Sequence, residues 1–121
     1  MNSYATAERV NSQVNASVTY REDAAQYDMP EYWEPAVKFG DCEDYALAKR
    51  GALLALGWPL DDMALSCCWA ETGEYHCVLA VNTDRGWFIL DNRHQSPMIP
   101  HDLGYRWDKA LRGGQWVELS F

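Results

Sequence analysis

The pattern of apolar and polar residues divides the chain into a helical first half and a strand-like second half. Between residues 5 and 18, apolar side chains recur at intervals of three or four, at Ala7, Val10, Val14 and Val18. This spacing predicts an amphipathic helix that buries one side. Beyond residue 62, short apolar runs separated by turn residues predict strands.

A second, central helix is predicted over residues 42–56. The stretch "ALAKRGALLAL" consists mostly of strong helix formers. Asp41 is placed to cap the amino terminus, and Asp44 follows three residues later, as in a capping box. Gly57 supplies a carboxyl-terminal cap, and Pro59 prevents the helix from continuing.

The remaining pattern predicts an α+β fold in a single domain over residues 1–121. Residues 19–40 contain two prolines and several aromatic residues, which predicts an irregular segment with one or two helical turns. Strands are predicted at residues 63–70, 75–81, 86–92 and 114–121. Two helices followed by sequential strands favour a helix packed on a mostly antiparallel sheet.

Charge and hydropathy exclude two classes of partner. Ten basic and eighteen acidic residues give a formal net charge of −8. Nucleic-acid binding depends on clustered Lys and Arg, so we expect no nucleic-acid partner. No apolar run approaches the roughly 20 residues of a membrane span, so we expect no membrane insertion.

The cysteines and the amino terminus together favour a cytoplasmic location. The first residues lack the basic and apolar regions of a signal peptide. Cys42, Cys67, Cys68 and Cys77 form no CxxC pair, which argues against a zinc site, and unpaired thiols suit a reducing compartment. A processed fragment would instead be compatible with the periplasm.

Three polar residues interrupt otherwise apolar elements, and together they suggest nucleophilic chemistry. If the turn between the second and third strands centres on Thr83–Asp84, His76 and Asp91 face each other directly on one sheet face. The central helix must pack on that sheet, which brings Cys42 to His76. A thiol at a helix amino terminus beside a charged imidazole has a lowered pKa.

This geometry predicts a nucleophile, a base and an orienting carboxylate. Each residue also has an ordinary structural reading. Cys42 would then be an inert buried thiol, His76 a sheet histidine and Asp91 the end of a strand. Cys77 points away from the face that His76 uses and is expected only to pack in the core.

The residues around this constellation resemble a known family. "YWEPAVKFGDCEDYALAKRGALLALG", "YHCVLAV" and "FILDN" are similar to the bacterial transglutaminase-like cysteine proteinases, from about Val10 to the carboxyl terminus. The resemblance implies a papain-like, transglutaminase-type core with catalytic Cys42, His76 and Asp91. It also implies a cysteine endopeptidase that hydrolyses a protein or peptide substrate through a thioester.

The same resemblance implies calcium, because members of this family depend on it through acidic residues beside the cysteine. The matching positions are Asp41, Glu43 and Asp44. Three carboxylates oppose formation of a thiolate, whereas a bound cation reverses the local field, and oxygen ligands suit calcium. In the alternative reading, Asp41 and Asp44 only cap the helix and Glu43 is solvated.

Two other functions are compatible with these residues. The same three residues can pass an acyl group to an amine, as in a transamidase, or act as a deamidase. A protein-binding module that keeps the fold without turnover is a further alternative.

Overall fold

The computed structural model describes residues 2–18, 40–112 and 114–119. Within them, the elements in chain order are α1 (Tyr4–Val18), α2 (Gly40–Ala55), β1 (Met63–Trp69), β2 (Tyr75–Thr83), β3 (Gly86–Leu90), β4 (Arg106–Arg112) and β5 (Gln115–Glu118). The α+β class is therefore confirmed. The predicted irregular segment lies outside the described residues except for Gly40. Neither described helix has the length and apolar composition to span a membrane.

The five strands form one antiparallel sheet in the order β3-β2-β1-β4-β5. β1, β2 and β3 are consecutive hairpins, and β4 pairs with the other edge of β1. The pattern did not predict β4, because its sequence "RWDKALR" is rich in charge and buries only Ala110. The last strand is shorter than predicted, and it ends at Glu118.

The two helices cover one face of the sheet. Ala7 and Val10 of α1 are buried, as the spacing predicted, and they share a core with Leu53 of α2 and with Leu79 and Leu90 of the sheet. Full burial of one such side chain stabilises the fold by about 1.5–3 kcal/mol. This packing holds the start of α2 close to β2.

The second face is covered by the segment that connects β3 to β4. Leu103 and Tyr105 from this segment join a core with Val78 and Ile89. Ile89 also forms an isolated bridge to Met98. Both faces of β2 are therefore enclosed, which is why its side chains are almost all buried.

The ends of α2 differ in how well the sequence predicted them. The helix is described from Gly40 onward and Asp41 is already helical, so the prediction that Asp41 precedes the helix as its cap is wrong. Gly57 does end the helix, with a φ of 93°. The N–H of Trp58 donates to the Leu53 carbonyl at 3.0 Å, the hydrogen bond expected of a Schellman motif.

The hairpin between β2 and β3 has a different register from the one predicted. Thr83 pairs with Gly86, so the two turn residues are Asp84 and Arg85, and the predicted turn at Thr83–Asp84 is wrong. Thr83 determines this choice, since its hydroxyl accepts the Arg85 N–H at 3.0 Å and donates to the Gly86 carbonyl at 2.9 Å. The pairing is displaced by two residues, and such a displacement keeps every side chain on its original face.

Neighbouring leucines on α2 provide a test of this packing. Leu53 is fully buried, whereas Leu54 is 41% exposed. Leu53→Ala should lower the free energy of unfolding by about 2–5 kcal/mol, because it leaves a cavity between helix and sheet. Leu54→Ala should change it by roughly 0.5 kcal/mol or less. Urea denaturation measures both, and equal losses would contradict the packing described.

Candidate active site

Cys42 lies where the sheet leaves the edge of β2 open. It is the third residue of α2 and is 5% exposed. The ladder between β2 and β3 ends at the pair Leu79 and Leu90, so none of the described strands pairs with the first residues of β2 on that side. The N–H of Cys77 points into this gap and donates to Cys42 Sγ at 3.3 Å. A strand amide therefore positions the thiol.

His76 and Asp91 are in direct contact. His76 Nε2 lies 2.8 Å from Asp91 Oδ1, and both residues are buried. The predicted register required the two residues to be directly opposed, and they are not. Asp91 follows the end of β3 on the same sheet face as His76, and the imidazole spans the diagonal between them. The remaining ring nitrogen, Nδ1, is the one available to the Cys42 thiol, with which the imidazole also interacts.

Asp91 is fully buried and accepts hydrogen bonds from two further residues. The Arg93 N–H donates to Oδ1 at 3.0 Å, and the Tyr105 hydroxyl donates to Oδ2 at 2.5 Å. The Asn15 amide of α1 donates to the Asp91 carbonyl at 3.1 Å. Sequence reasoning missed these three residues, since none belongs to a motif and Tyr105 precedes the strand that the pattern did not reveal.

The contacts shift the pKa values of all three residues toward their charged forms. A hydrogen bond from the Cys77 thiol, aided by His76 and opposed by burial, lowers the pKa of Cys42 to about 6. Burial acts to lower the pKa of His76, but hydrogen bonds to Asp91 and Cys42 outweigh it and raise the value to about 9. Despite burial, the imidazole holds the pKa of Asp91 below its usual value. At neutral pH the pair is therefore thiolate and imidazolium.

Cys77 does more than pack in the core. Its side chain does lie on the face away from His76, in a cluster with Cys42 and Cys67. Its Sγ is 3.0 Å from Cys67 Sγ, at directly paired positions of β1 and β2. One S–H proton can serve only one neighbour at a time. The Cys77 thiol lowers the pKa of both neighbours, Cys42 and Cys67, and Cys42 also receives the Cys77 amide proton.

Of the predicted metal ligands, Glu43 is a described residue whose surroundings suit a cation. It is 4% exposed, so the alternative that it is solvated is wrong, and its Oε1 lacks a hydrogen-bond partner within the described residues. Burial, then the charges of Cys42 and Asp44, raise its pKa to about 7. Asp44 is half-buried, and the Asp41 side chain lies outside what the structure describes. The described residues contain no cluster of three potential metal-ligating side chains.

Solved structures share this fold. Calcium-bound LapG of Legionella pneumophila is 25% identical with a TM-score of 0.68, over 93% of this chain and 66% of that chain. EGTA-treated LapG from the same organism is 23% identical with a TM-score of 0.59, over 68% and 46%. This chain thus spans at most 66% of the length of these LapG chains. Among curated protein sequences, none matches it significantly.

A family model shows the relationship along nearly the whole chain. The model described as "Bacterial transglutaminase-like cysteine proteinase BTLCP" matches residues 1–120. The resemblance in the motifs around Cys42, His76 and Asp91 is thereby confirmed at the level of the family. This chain belongs to the bacterial transglutaminase-like cysteine proteinases.

Proposed function

We propose that this chain is a cysteine endopeptidase in which Cys42 is the nucleophile, His76 the acid and base, and Asp91 the group that orients the imidazole. The observation that carries the proposal is the unbroken series of contacts from the thiol through the imidazole to a buried carboxylate. A purely structural carboxylate or thiol has no need of this series. It supplies the arrangement of a nucleophile beside a base that a third group orients.

In the first half of the proposed reaction, the Cys42 thiolate attacks the carbonyl carbon of the scissile peptide bond. The carbonyl oxygen becomes an oxyanion, and we expect the Cys42 N–H to donate a hydrogen bond that stabilises it. The imidazolium of His76 then gives its proton to the leaving amine. The C–N bond breaks and a thioester to Cys42 remains.

In the second half, His76 takes a proton from water and the resulting hydroxide attacks the thioester. The carbon–sulfur bond breaks, the acid product leaves, and Cys42 returns to the thiolate with His76 again protonated. Asp91 remains ionised throughout, because its role is to hold the imidazole and stabilise its positive charge. An amine in place of water would give transamidation from the same thioester.

We also propose that a calcium ion binds beside the nucleophile, with Glu43 as a ligand and with Asp41 and Asp44 contributing. The support is the buried Glu43 carboxylate oxygen, which has no hydrogen-bond partner within the described residues. Burying an unpaired polar atom costs folding free energy, and a bound cation would remove that cost. LapG of Legionella pneumophila has a calcium-bound form. When bound, the ion would offset the negative charge that opposes the Cys42 thiolate. Backbone carbonyls and water would supply the remaining oxygen ligands that calcium takes.

The proposed nucleophile predicts a difference in reactivity between folded and unfolded protein. Iodoacetamide at pH 7 should alkylate Cys42 faster in the native protein than in urea, since its lowered pKa makes it largely thiolate. Peptide mapping by mass spectrometry measures the rate. Equal or slower labelling in the native protein would rule out an activated thiol.

Cleavage of a peptide library, followed by mass spectrometry, should be lost in Cys42→Ala and kept in Cys68→Ala. Cys68 is a buried thiol whose pKa burial raises, so it controls for the loss of a sulfur atom. Products that carry an added amine would identify a transamidase. Binding without any product in the parent protein would identify a non-catalytic module.

The thiolate–imidazolium pair also predicts a pH dependence of stability. A folded pKa of about 6 for Cys42, against 9.0 in the unfolded chain, gives stability that is full above pH 9 and is lost as pH falls toward 6. The difference in free energy of unfolding between the parent and Cys42→Ala should therefore shift in favour of the parent as pH rises from 6 to 9. Groups whose pKa values do not depend on Cys42 cancel in this difference, whereas His76, whose pKa Cys42 raises, reduces the shift without reversing its sign.

Urea denaturation at several pH values checks this expectation. The raised pKa of Cys68 provides the control, because the thiol stays protonated in both folded and unfolded chains below about pH 8. The difference between the parent and Cys68→Ala should then be constant below that pH. A constant difference for Cys42→Ala as well would mean that Cys42 is a neutral thiol.

The calcium proposal predicts a change in melting temperature that depends on the acids. Calcium at about 100 times its dissociation constant should stabilise the parent by roughly 2.7 kcal/mol, and a chelator should reverse the gain. In the double variant Asp41→Ala/Glu43→Ala, both additions should have no effect. Magnesium should substitute poorly, because it requires a tighter octahedral shell. A parent melting temperature indifferent to calcium and chelator would contradict the proposal.

A further inference from the structure

The two oxygens of the buried Asp91 carboxylate have different partners. Oδ1 receives the His76 imidazole and the Arg93 N–H, while Oδ2 receives the Tyr105 hydroxyl at 2.5 Å. A carboxylate can rotate about its bond to Cβ, and rotation would carry Oδ1 away from the imidazole. The hydrogen bond at Oδ2 opposes that rotation, because it anchors the other end of the group.

Tyr105 itself is held firmly in place. It is 9% exposed and lies in the core on the second face of the sheet, next to Trp107, whose ring centroid is 5.8 Å away. Its ring also meets the His76 ring edge to face, with centroids 5.6 Å apart. The same residue therefore touches the imidazole through its ring and the carboxylate through its hydroxyl.

Arg93 determines the direction of the hydrogen bond from Tyr105. Its Nη1 donates to the Tyr105 oxygen at 3.1 Å, and a guanidinium can only donate. The hydroxyl oxygen must therefore accept from Arg93, which leaves its own proton for Asp91. Glu71 holds the guanidinium in turn, with bonds of 3.1 Å to Nη1 and 2.6 Å to Nη2.

We propose that Tyr105 is a positioning residue for the proposed reaction, and that Arg93 and Glu71 orient its hydroxyl. Tyr105 fixes Asp91 so that Oδ1 stays on His76 Nε2, and Asp91 in turn keeps Nδ1 toward Cys42. The ion pair of Arg93 and Glu71 is 35% and 52% exposed, so it adds little stability by itself. The ion pair instead holds the Arg93 guanidinium where it donates to the Tyr105 hydroxyl oxygen. The inference rests on the proposed function, since the three residues act through Asp91.

Tyr105→Phe tests the proposal, because it removes the hydroxyl and keeps the buried ring. The readout is NMR of the His76 imidazole in histidine-labelled protein, which needs no substrate. The pKa of His76 should fall from about 9 by about one unit. Without the Tyr105 hydroxyl, the hydrogen bond between Asp91 and the charged imidazole weakens, and the equilibrium constant for protonation of His76 should drop roughly tenfold. The signal of the Nε2 proton should weaken in parallel.

Tyr4→Phe is the matched control. Tyr4 lies on α1 with its ring against Phe88, away from the proposed active site, and its variant should leave the His76 signals unchanged. A pKa of His76 that is unchanged in Tyr105→Phe would overturn the proposal. So would a rise, because it would mean that the hydroxyl only weakens the charge of Asp91.

Arg93→Met supplies a second variant on a half-exposed side chain, should Tyr105→Phe fail to fold. It keeps the backbone N–H that bonds Asp91 and removes the guanidinium. The pKa of His76 should fall in Arg93→Met, and no change or a rise would overturn the role of Arg93 and Glu71. Absence of peptide cleavage by the parent would defeat the proposed function alone, since the imidazole signals still report whether Tyr105 orients Asp91.

Discussion

The short ladder between β2 and β3 is the constraint on which the site depends. Because β3 stops pairing at Leu90, no described strand pairs with the first residues of β2 on this edge, and Cys42 at the start of α2 lies against it. The amide of Cys77, which a longer β3 would have used, is then available to the thiol of Cys42. The chain beyond Leu90 is also free to turn, so Asp91 meets His76 instead of continuing the strand. One missing stretch of pairing thus makes room for all three residues.

Burial affects the charges around this gap in two opposite ways. Asp91 and His76 are buried together with well-matched partners, so both remain charged at neutral pH. Glu43 and Lys49 are buried without hydrogen-bond partners for Oε1 and Nζ within the described residues. Burial moves the pKa of each to about 7, upward for the acid and downward for the base. The helix therefore carries two groups that titrate close to neutral pH beside a pair held in its charged form.

The sequence was most informative where local chemistry determines the structure. Helical spacing located α1, and Gly57 located the end of α2, because both depend on nearby residues only. The cap predicted for α2 was wrong, because Asp41 is already helical, and the register of the hairpin was wrong by two residues. The first involves residues at the edge of the described structure. The second depends on hydrogen bonds between the Thr83 hydroxyl and the turn, and an apolar pattern does not reveal such bonds.

The neighbours of the proposed triad were accessible only in part. Cys42, His76 and Asp91 could be selected because each interrupts an apolar element. Tyr105 and Arg93 reach Asp91 through connecting segments, and no periodicity indicates where a connection folds back. β4 was missed for a related reason. It pairs with β1 at a long distance in sequence, and its charged residues hide the alternation typical of a strand.

The two-residue turn at Asp84 and Arg85 limits how the length of this hairpin can change. One residue added within β3 and absorbed by the pairing would rotate Asp91 onto the helix-covered face, away from His76. Two added residues would return it to its own face, at the position directly opposite His76 in this register. Insertions of two residues in β3 are therefore compatible with the site, whereas an insertion of one residue is damaging, so the parity of an insertion matters more than its size.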